Sequence, residues 1–264
     1  MNKKMATKTV AALILVAVFV PIFLIGGWLL EAMIVVVACA TGYEIAGIKD
    51  ESKANWPMTI LTAAAILILG HIAPEMTALG AGVWLVILFV ISLLDESITA
   101  DQVVYNFAMS FIMVLACRTI LAIYRAGMNW QGAIYVALAC FICDTGAYFA
   151  GSFLGKHKMI PRISPNKTWE GAIGGYLAGA VISMLFGLLV AGSIPNRLVV
   201  LASVLLPAAA EAGDLAFSSI KRRWKMKDFG SFIPEHGGML DRIDSLMFCL
   251  IVFGFLMTCW GIPV

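Results

Sequence analysis

Acidic and basic residues alternate over a short stretch near the end of the chain, between Ser218 and Asp244. A Lys-Arg-Arg run is followed by a Lys-Asp pair, by His-Gly-Gly and by Asp-Arg-Ile-Asp. Such alternation is expected where a polyphosphate and its metal ion are bound together. The two glycines leave backbone N–H groups open to close approach by a phosphate. The stretch therefore predicts a site for a phosphate-rich ligand.

Further acidic residues lie inside apolar runs, where charged side chains are costly and by default mark function. They are Glu44, Asp144, Glu211 and Asp214. Glu211 and Asp214 are spaced i,i+3, as are Asp241 and Asp244, so each pair shares a helix face. Carboxylates at one membrane depth repel each other unless Lys, Arg or a metal ion joins them, and oxygen ligands favour Mg²⁺ over zinc. For Glu44, a structural ion pair and a functional role stay equally open.

A second basic segment, with Lys156, Lys158 and Arg162, precedes an apolar run that begins near residue 169. Thr168 is placed to cap the start of that run if it is helical. A helix N-terminus with hydroxyl groups and a lysine beside it binds anions. The segment therefore predicts a second contact for phosphate or nucleotide. Its candidate residues are Ser164, Asn166, Lys167 and Thr168.

The composition shows what must position these residues. Of the 264 residues, 61% are hydrophobic and only 13% are charged, whereas about 25% are charged in ordinary soluble domains. So few charges cannot cover the surface of a soluble protein. The composition excludes a soluble enzyme, a secreted disulfide-stabilised domain and a disordered chain. It predicts an all-α polytopic integral membrane protein.

Apolar runs long enough to cross a membrane, about 20 residues each, recur along the whole chain. The fourth run is short, and the first two nearly touch at Gly26 and Gly27. Basic residues before the first run would also fit a cleaved signal peptide, but we expect an anchoring helix. We predict nine spans, near 9–28, 30–48, 57–73, 81–94, 103–124, 130–151, 169–191, 198–218 and 244–262.

Lysine and arginine in short loops mark the cytoplasmic side. With the N-terminus inside, nine crossings put fifteen of the eighteen Lys and Arg residues on that side. Arg125 and Arg197 then lie outside and Arg118 lies within a span, and the C-terminus is outside. We therefore expect residues 1–125 to form a scaffold of helices with a potential oligomer contact. We expect residues 126–264 to form the catalytic region, with cytoplasmic loops 152–168 and 219–243.

The stretch from Ser218 to Asp244 resembles the signature of phosphatidate cytidylyltransferases, the CDP-diacylglycerol synthases. Residues 144–148, 164–171 and 213–214 also resemble motifs of this family, whereas residues before about 125 match only in general character. The signature positions are Ser218, Lys221, Arg222, Lys227, Asp228, His236, Gly237, Gly238, Asp241, Arg242 and Asp244.

The resemblance implies a Mg²⁺-dependent reaction in which CTP and phosphatidate give CDP-diacylglycerol and pyrophosphate. It supports Asp214 and Asp241 as Mg²⁺ ligands, with Asp144 and Asp244 as further candidates for the catalytic set. Whether a second cation takes part stays open. The family also implies a homodimer in the bilayer, without a nucleic-acid partner. The short chain suggests a prokaryotic inner membrane.

The remaining signature residues are expected to bind the two anionic substrates. We assign Lys221 to the catalytic set, since its ammonium can hold a phosphate where charge develops. Direct in-line displacement is expected, because no activated nucleophile is paired with a base. The substrate-binding set is Ser164, Asn166, Lys167, Thr168, Ser218, Arg222, Lys227, Asp228, His236, Gly237, Gly238 and Arg242.

Functions of three other kinds are compatible with parts of the pattern: another CTP-using lipid enzyme, a transporter and a lipid-tethering protein. A CTP-dependent lipid-alcohol kinase or a CDP-archaeol synthase would also use basic loops and carboxylates, and the product would distinguish them. A transporter of anionic phosphometabolites would need broken helices near the bilayer midplane, whereas the polar residues here cluster at one face. A lipid-tethering protein would use the basic loop alone, which leaves Asp144, Asp214 and the His-Gly-Gly sequence unexplained.

Overall fold

Most of the described residues are helical in the computed structural model, which describes residues 19–48, 55–230 and 237–264. Helix α1 covers residues 19–25 of the described chain. The other helices are α2 (Gly27–Ala46), α3 (Trp56–His71), α4 (Pro74–Leu94), α5 (Ala100–Arg125), α6 (Asn129–Leu154), α7 (Trp169–Leu189), α8 (Asn196–Arg223) and α9 (Leu240–Cys259).

Seven of the described helices are long and apolar enough to cross a membrane. They are α2 and α4 to α9, whereas α3 is apolar but has only 16 residues. The first half of the predicted first span, 9–28, lies outside the described residues. The expected class, an all-α polytopic membrane protein, is confirmed.

Two helices extend well beyond the apolar runs that predicted them. Helix α4 begins at Pro74 rather than near residue 81, because proline is favoured in the first turn and Glu75 complements the N-terminal helix dipole. Helix α8 ends at Arg223 rather than near residue 218. Its last turn carries three basic residues, which the C-terminal dipole stabilises. Lys221 and Arg222 therefore lie on a helix, where a loop was expected.

A short antiparallel hairpin, which the sequence analysis does not predict, connects α6 to α7. Strand β1 (Lys158–Ile160) pairs with β2 (Ser164–Thr168). Glu170, in the first turn of α7, accepts hydrogen bonds from the backbone N–H groups of Lys156 and His157. These bonds fix the start of the hairpin against α7. The hairpin therefore holds Asn166 and Lys167 at a defined place beside the helix ends.

Helices α6 and α7 approach each other through glycines. A Cβ atom on Gly175 would lie 2.5 Å from the carbonyl oxygen of Cys143, and one on Gly171 would lie 2.9 Å from that of Ala147. Small residues allow this close approach between membrane helices. The contact brings the C-terminal part of α6 directly against the start of α7.

Loops that the predicted topology places on the same side contact one another. At one end, the Arg222 side chain donates to the carbonyl of Ile163 at 3.3 Å, and Arg223 lies 3.6 Å from Asp101. At the other end, the Ser193 hydroxyl donates to the Met128 carbonyl at 3.2 Å. The connections after α4, α6 and α8 therefore lie at one end of the bundle, and those after α5 and α7 lie at the other end.

Candidate active site

A cavity of about 570 Å³ lies where the C-terminal part of α6, the start of α7, the middle of α8 and the start of α9 meet strand β2. Its volume is in the range of small-molecule sites. Acidic residues from three helices line it, as their shared depth in the predicted spans indicated. They are Asp144, Glu211, Asp214, Asp241 and Asp244.

Lys167 joins two of these carboxylates. Its ammonium lies 2.6 Å from Glu211 Oε2 and 2.7 Å from Asp214 Oδ2. The i,i+3 spacing places both acids on the face of α8 that meets the hairpin. Burial opposes the charge on Lys167, but the carboxylates of Asp214 and Glu211 outweigh it and raise the pKa of the lysine. Lys167 is therefore a protonated bridge in the cavity wall.

The N-terminus of α7 contributes to the same cavity. The Thr168 hydroxyl accepts a hydrogen bond from the Gly171 N–H group at 3.1 Å, which confirms the predicted cap. Asn166, Thr168 and Gly171 all line the cavity. The positive end of the helix dipole thus lies beside Lys167, an arrangement that favours an anion.

A second lysine is paired deeper in the protein. Lys221 Nζ lies 2.6 Å from Asp241 Oδ1, and it also lies over the ring of Phe229, 5.5 Å from the centroid. The other oxygen of Asp241 accepts hydrogen bonds from the N–H groups of Phe229 at 2.7 Å and Gly238 at 3.0 Å. Asp241 is thus fully engaged by the protein, although it was predicted to bind metal.

Several of the other predicted site residues do not line the cavity. Ser218 donates to Asp214 Oδ1 at 3.4 Å. Arg222 also donates to the Met226 carbonyl at 3.1 Å, and so joins α8 to the hairpin and to the following turn. Nine of the predicted site residues that the structure describes do not line the cavity: Ser164, Ser218, Lys221, Arg222, Lys227, Asp228, Gly237, Gly238 and Arg242.

Gly237 and Gly238 lie against carboxylates of the protein, whereas the sequence predicted that a phosphate approaches their backbone. Gly237 has φ +82°, and a Cβ on it would lie 3.1 Å from Asp241 Oδ2. A Cβ on Gly238 would lie 2.6 Å from Glu44 Oε1. Both glycines therefore make room for carboxylates of the protein itself. His236, the remaining signature residue, lies outside the described residues.

Sequence reasoning missed several residues of the cavity wall. Tyr148 and Ser152 line it together with Asp144. These three residues are spaced i,i+4 along α6 and so share one face. That spacing, read from Asp144, could have found them. Glu211 was recognised as an acid in the membrane but was left out of the predicted site.

Within the described ranges, no group of three or more His, Cys, Asp or Glu side chains is arranged to hold a metal ion. The acids nonetheless outnumber the basic side chain, Lys167, in the described lining of the cavity. Carboxylate oxygens are the ligands that Mg²⁺ prefers. The donor chemistry of the cavity therefore suits Mg²⁺, while the closed ligand geometry of a metal centre is absent among the described residues.

The chain is similar to known enzymes over almost its whole length. The model of the Cytidylyltransferase family matches residues 6–260. The phosphatidate cytidylyltransferase of Staphylococcus saprophyticus is 31% identical over 264 residues, which cover 96% of this chain and 99% of that protein. That of Staphylococcus aureus is 30% identical with the same coverage. The Bacillus subtilis enzyme is 39% identical over 137 residues, 51% of each chain.

Proposed function

The chain belongs to the cytidylyltransferase family, and we propose that it transfers the cytidylyl group of CTP to phosphatidate. The products are CDP-diacylglycerol and pyrophosphate. The protein is a nucleotidyltransferase of phospholipid biosynthesis, and its relatives of the same length carry the name phosphatidate cytidylyltransferase. Its many apolar helices place it in the membrane, where phosphatidate resides.

One observation supports this function above the others: the cavity at the helix ends joins a nucleotide-sized space to a lysine bridge and a helix N-terminus. Phosphatidate presents its phosphate at the level of the lipid headgroups. The exposed apolar side chains of Phe149, Phe153 and Trp169 lie beside the cavity-lining parts of α6 and α7. A lipid can therefore approach the cavity from the bilayer side.

We further propose that Mg²⁺ takes part, bound by Asp214 and Asp241. Two anionic substrates cannot enter a cavity that is rich in carboxylates unless cations neutralise the charge. Asp214 suits this role because its carboxylate is partly open to the cavity, and Asp144 and Asp244 line the same space. Asp241 would have to exchange a contact to Lys221 or to a backbone N–H group. Bound Mg²⁺ would neutralise the triphosphate and stabilise the leaving pyrophosphate.

The residues of the chain position the two phosphates. An anionic phosphate oxygen of phosphatidate attacks the α-phosphorus of CTP, and the bond to the β-phosphate breaks as pyrophosphate leaves. The second pKa of a phosphate monoester is about 6, so the nucleophile needs no strong base. Lys167, the Thr168 end of α7 and the basic side chains near the hairpin hold the phosphates in line. Catalysis then rests on orientation and charge stabilisation.

The proposed topology has nine spans, with the N-terminus and the site on the cytoplasmic side and the C-terminus outside. The alternation of loop contacts between the two ends of the bundle supports this arrangement. Because the similar enzymes are bacterial, we propose that the protein lies in the inner membrane. We also propose that it is a homodimer, as the family resemblance implies. Cysteine labelling of residues in loops 152–168 and 190–195, from either side of sealed vesicles, would test the orientation.

The reaction is tested with detergent-purified protein, α-labelled CTP, Mg²⁺ and phosphatidate, each omitted in turn. Labelled CDP-diacylglycerol that requires all three is the expected product. Absence of labelled lipid from a folded, monodisperse preparation would contradict the proposal. A phosphorylated lipid alcohol made from γ-labelled CTP would instead indicate a kinase.

The metal assignment is tested with Asp214→Asn and Asp241→Asn. Each variant should lose most of its turnover and require more Mg²⁺ for what remains, because a neutral amide is a weaker ligand than a carboxylate. Asp101→Asn is the matched control, since Asp101 is exposed and outside the cavity. Normal turnover with unchanged Mg²⁺ dependence in either site variant would remove that residue from the ligand set.

A further inference from the structure

Glu44, on α2 in the first half of the chain, is buried with 3% of its surface exposed. Its Oε1 accepts a hydrogen bond from the Met239 N–H group at 2.6 Å, and its Oε2 accepts one from Leu240 N–H at 2.8 Å. These two donors belong to the N-terminal end of α9, almost 200 residues away in the chain. The sequence left open whether Glu44 is structural or functional. Its contacts place the carboxylate at the start of α9, the helix that carries Asp241 and Asp244.

Helix α9 has no side-chain cap from its own N-cap residue, Met239. The first N–H groups of a helix have no partner within the helix, and a carboxylate both satisfies them and complements the helix dipole. Glu44 supplies this cap from another helix. It therefore fixes where α9 begins relative to α2.

The same carboxylate occupies the space left by two glycines. A Cβ on Gly238 would lie 2.6 Å from Glu44 Oε1, and one on Gly230 would lie 3.0 Å from its Cγ. Gly230 and Gly238 lie on either side of residues 231–236. Glu44 thus lies close to the described chain on both sides of that segment.

Glu44 and Asp241 contact neighbouring parts of the backbone. Asp241 Oδ2 accepts hydrogen bonds from Phe229 N–H and Gly238 N–H, directly beside Gly230 and Met239. Asp241 itself lies in the first turn of α9. A shift in the start of α9 would therefore move both Asp241 and Asp244 at the cavity. Glu44 binds α9 about one turn from Asp241 and Asp244, and it does not itself line the cavity.

We propose that Glu44 is a positioning residue of the transferase: it caps α9 from α2 and sets the place of Asp241 and Asp244 in the cavity. The inference rests on the activity proposed above. It also gives the N-terminal half of the chain a direct part in the site. Under this proposal Gly238 is required because Glu44 lies against it, rather than because a phosphate approaches its backbone.

The first test compares Glu44→Gln with Glu31→Gln, an exposed position on the same helix. The amide keeps the size of the side chain but offers one acceptor oxygen for two N–H donors. We expect kcat per folded molecule to fall by about tenfold to 100-fold, as for misplacement of catalytic groups, with KM for CTP unchanged. Glu31→Gln should match wild type. A lower folded yield with normal kcat would show a merely structural role and overturn the proposal.

The second test is a double-variant cycle with Gly238→Ala and Glu44→Asp. The alanine Cβ would collide with Glu44, whereas the shorter aspartate leaves room for it. The double variant should be at least as active as Gly238→Ala alone, so that one substitution partly rescues the other. Independent, multiplicative losses would show that Gly238 serves another purpose and would overturn the proposal.

A third measurement separates this inference from the proposed function. Hydrogen exchange of a peptide over residues 237–244 should be faster in Glu44→Gln than in wild type and in Glu31→Gln. This result requires no transferase activity. Unchanged exchange would overturn the role of Glu44 even in an active enzyme, whereas inactive wild type with the expected exchange would count against the reaction alone.

Discussion

Lys167 and Lys221 both pair with carboxylates at this site, but their surroundings differ. Lys167 reaches from the hairpin to Glu211 and Asp214, and 33% of the Asp214 side chain is exposed. Lys221 reaches from α8 to Asp241, of which only 5% is exposed. The first pair forms part of the cavity wall. In the second pair Asp241 also lines the cavity, but backbone N–H groups and an aromatic ring enclose its contact with Lys221.

These different surroundings indicate different roles for the two lysines. The Lys167 bridge can open, because its carboxylates can exchange the lysine for water or for a cation that accompanies a substrate. The Lys221 pair can open only if another cation, such as the proposed Mg²⁺, takes the place of the lysine beside Asp241, because a buried charge without a partner is costly. We therefore expect the contacts of Lys167 to change when ligands bind, and the Lys221–Asp241 pair to hold the start of α9 in place.

The largest effect is expected when the enclosed pair is broken. Lys221→Met leaves Asp241 charged and buried, which typically costs about 3–5 kcal/mol. The midpoint of thermal unfolding in detergent should fall strongly, and Lys221→Met with Asp241→Asn should recover part of the loss. Lys158→Met, at an exposed position on β1, is the control. Equal midpoints for Lys221→Met and the control would contradict the distinction between the pairs.

Removal of the Lys167 ammonium should affect activity more than stability. Lys167→Met leaves Glu211 and Asp214 without their bridge, but both face the cavity. We expect kcat/KM for CTP to fall by about 100-fold, which equals about 2.7 kcal/mol of transition-state stabilisation. The unfolding midpoint should shift less than in Lys221→Met. A large loss of stability with normal kcat/KM would reverse the roles given to the two lysines.

The parts of this arrangement that could be predicted from the sequence depend on local spacing. Glu211 and Asp214, spaced i,i+3 on one helix face, both form an ion pair with Lys167. The cap by Thr168 follows from its place before an apolar run. The apolar runs located the helices, although polar residues at the ends of α4 and α8 continue those helices beyond the runs.

Other parts could not be predicted because they depend on distant contacts. Nothing in the sequence near Glu44 indicates Met239 and Leu240 as its partners. The motif placed Lys221 and Asp241 in one site, but not in contact with each other across twenty residues. The hairpin lacks the alternation of apolar and polar residues that marks a strand, and Pro165 lies within β2.

The smallest predicted effect tests whether Thr168 does more than cap a helix. Two threonines cap helices in similar ways: Thr168 on α7 and Thr99 on α5, where it forms a capping box with Gln102. Loss of either hydroxyl should cost about 0.5–2 kcal/mol. Only Thr168 lines the cavity beside Lys167.

Thr168→Ala and Thr99→Ala should therefore lower the unfolding midpoint to a similar extent, while only Thr168→Ala lowers kcat/KM for CTP. Thr168→Ser keeps the hydroxyl and should restore both quantities. Because the two caps differ in what lies next to them, the activity difference measures the contact of Thr168 with substrate. Equal activity of the two alanine variants, per folded molecule, would show that Thr168 only caps the helix. Lys167 would then be the residue of the hairpin that contacts the phosphates.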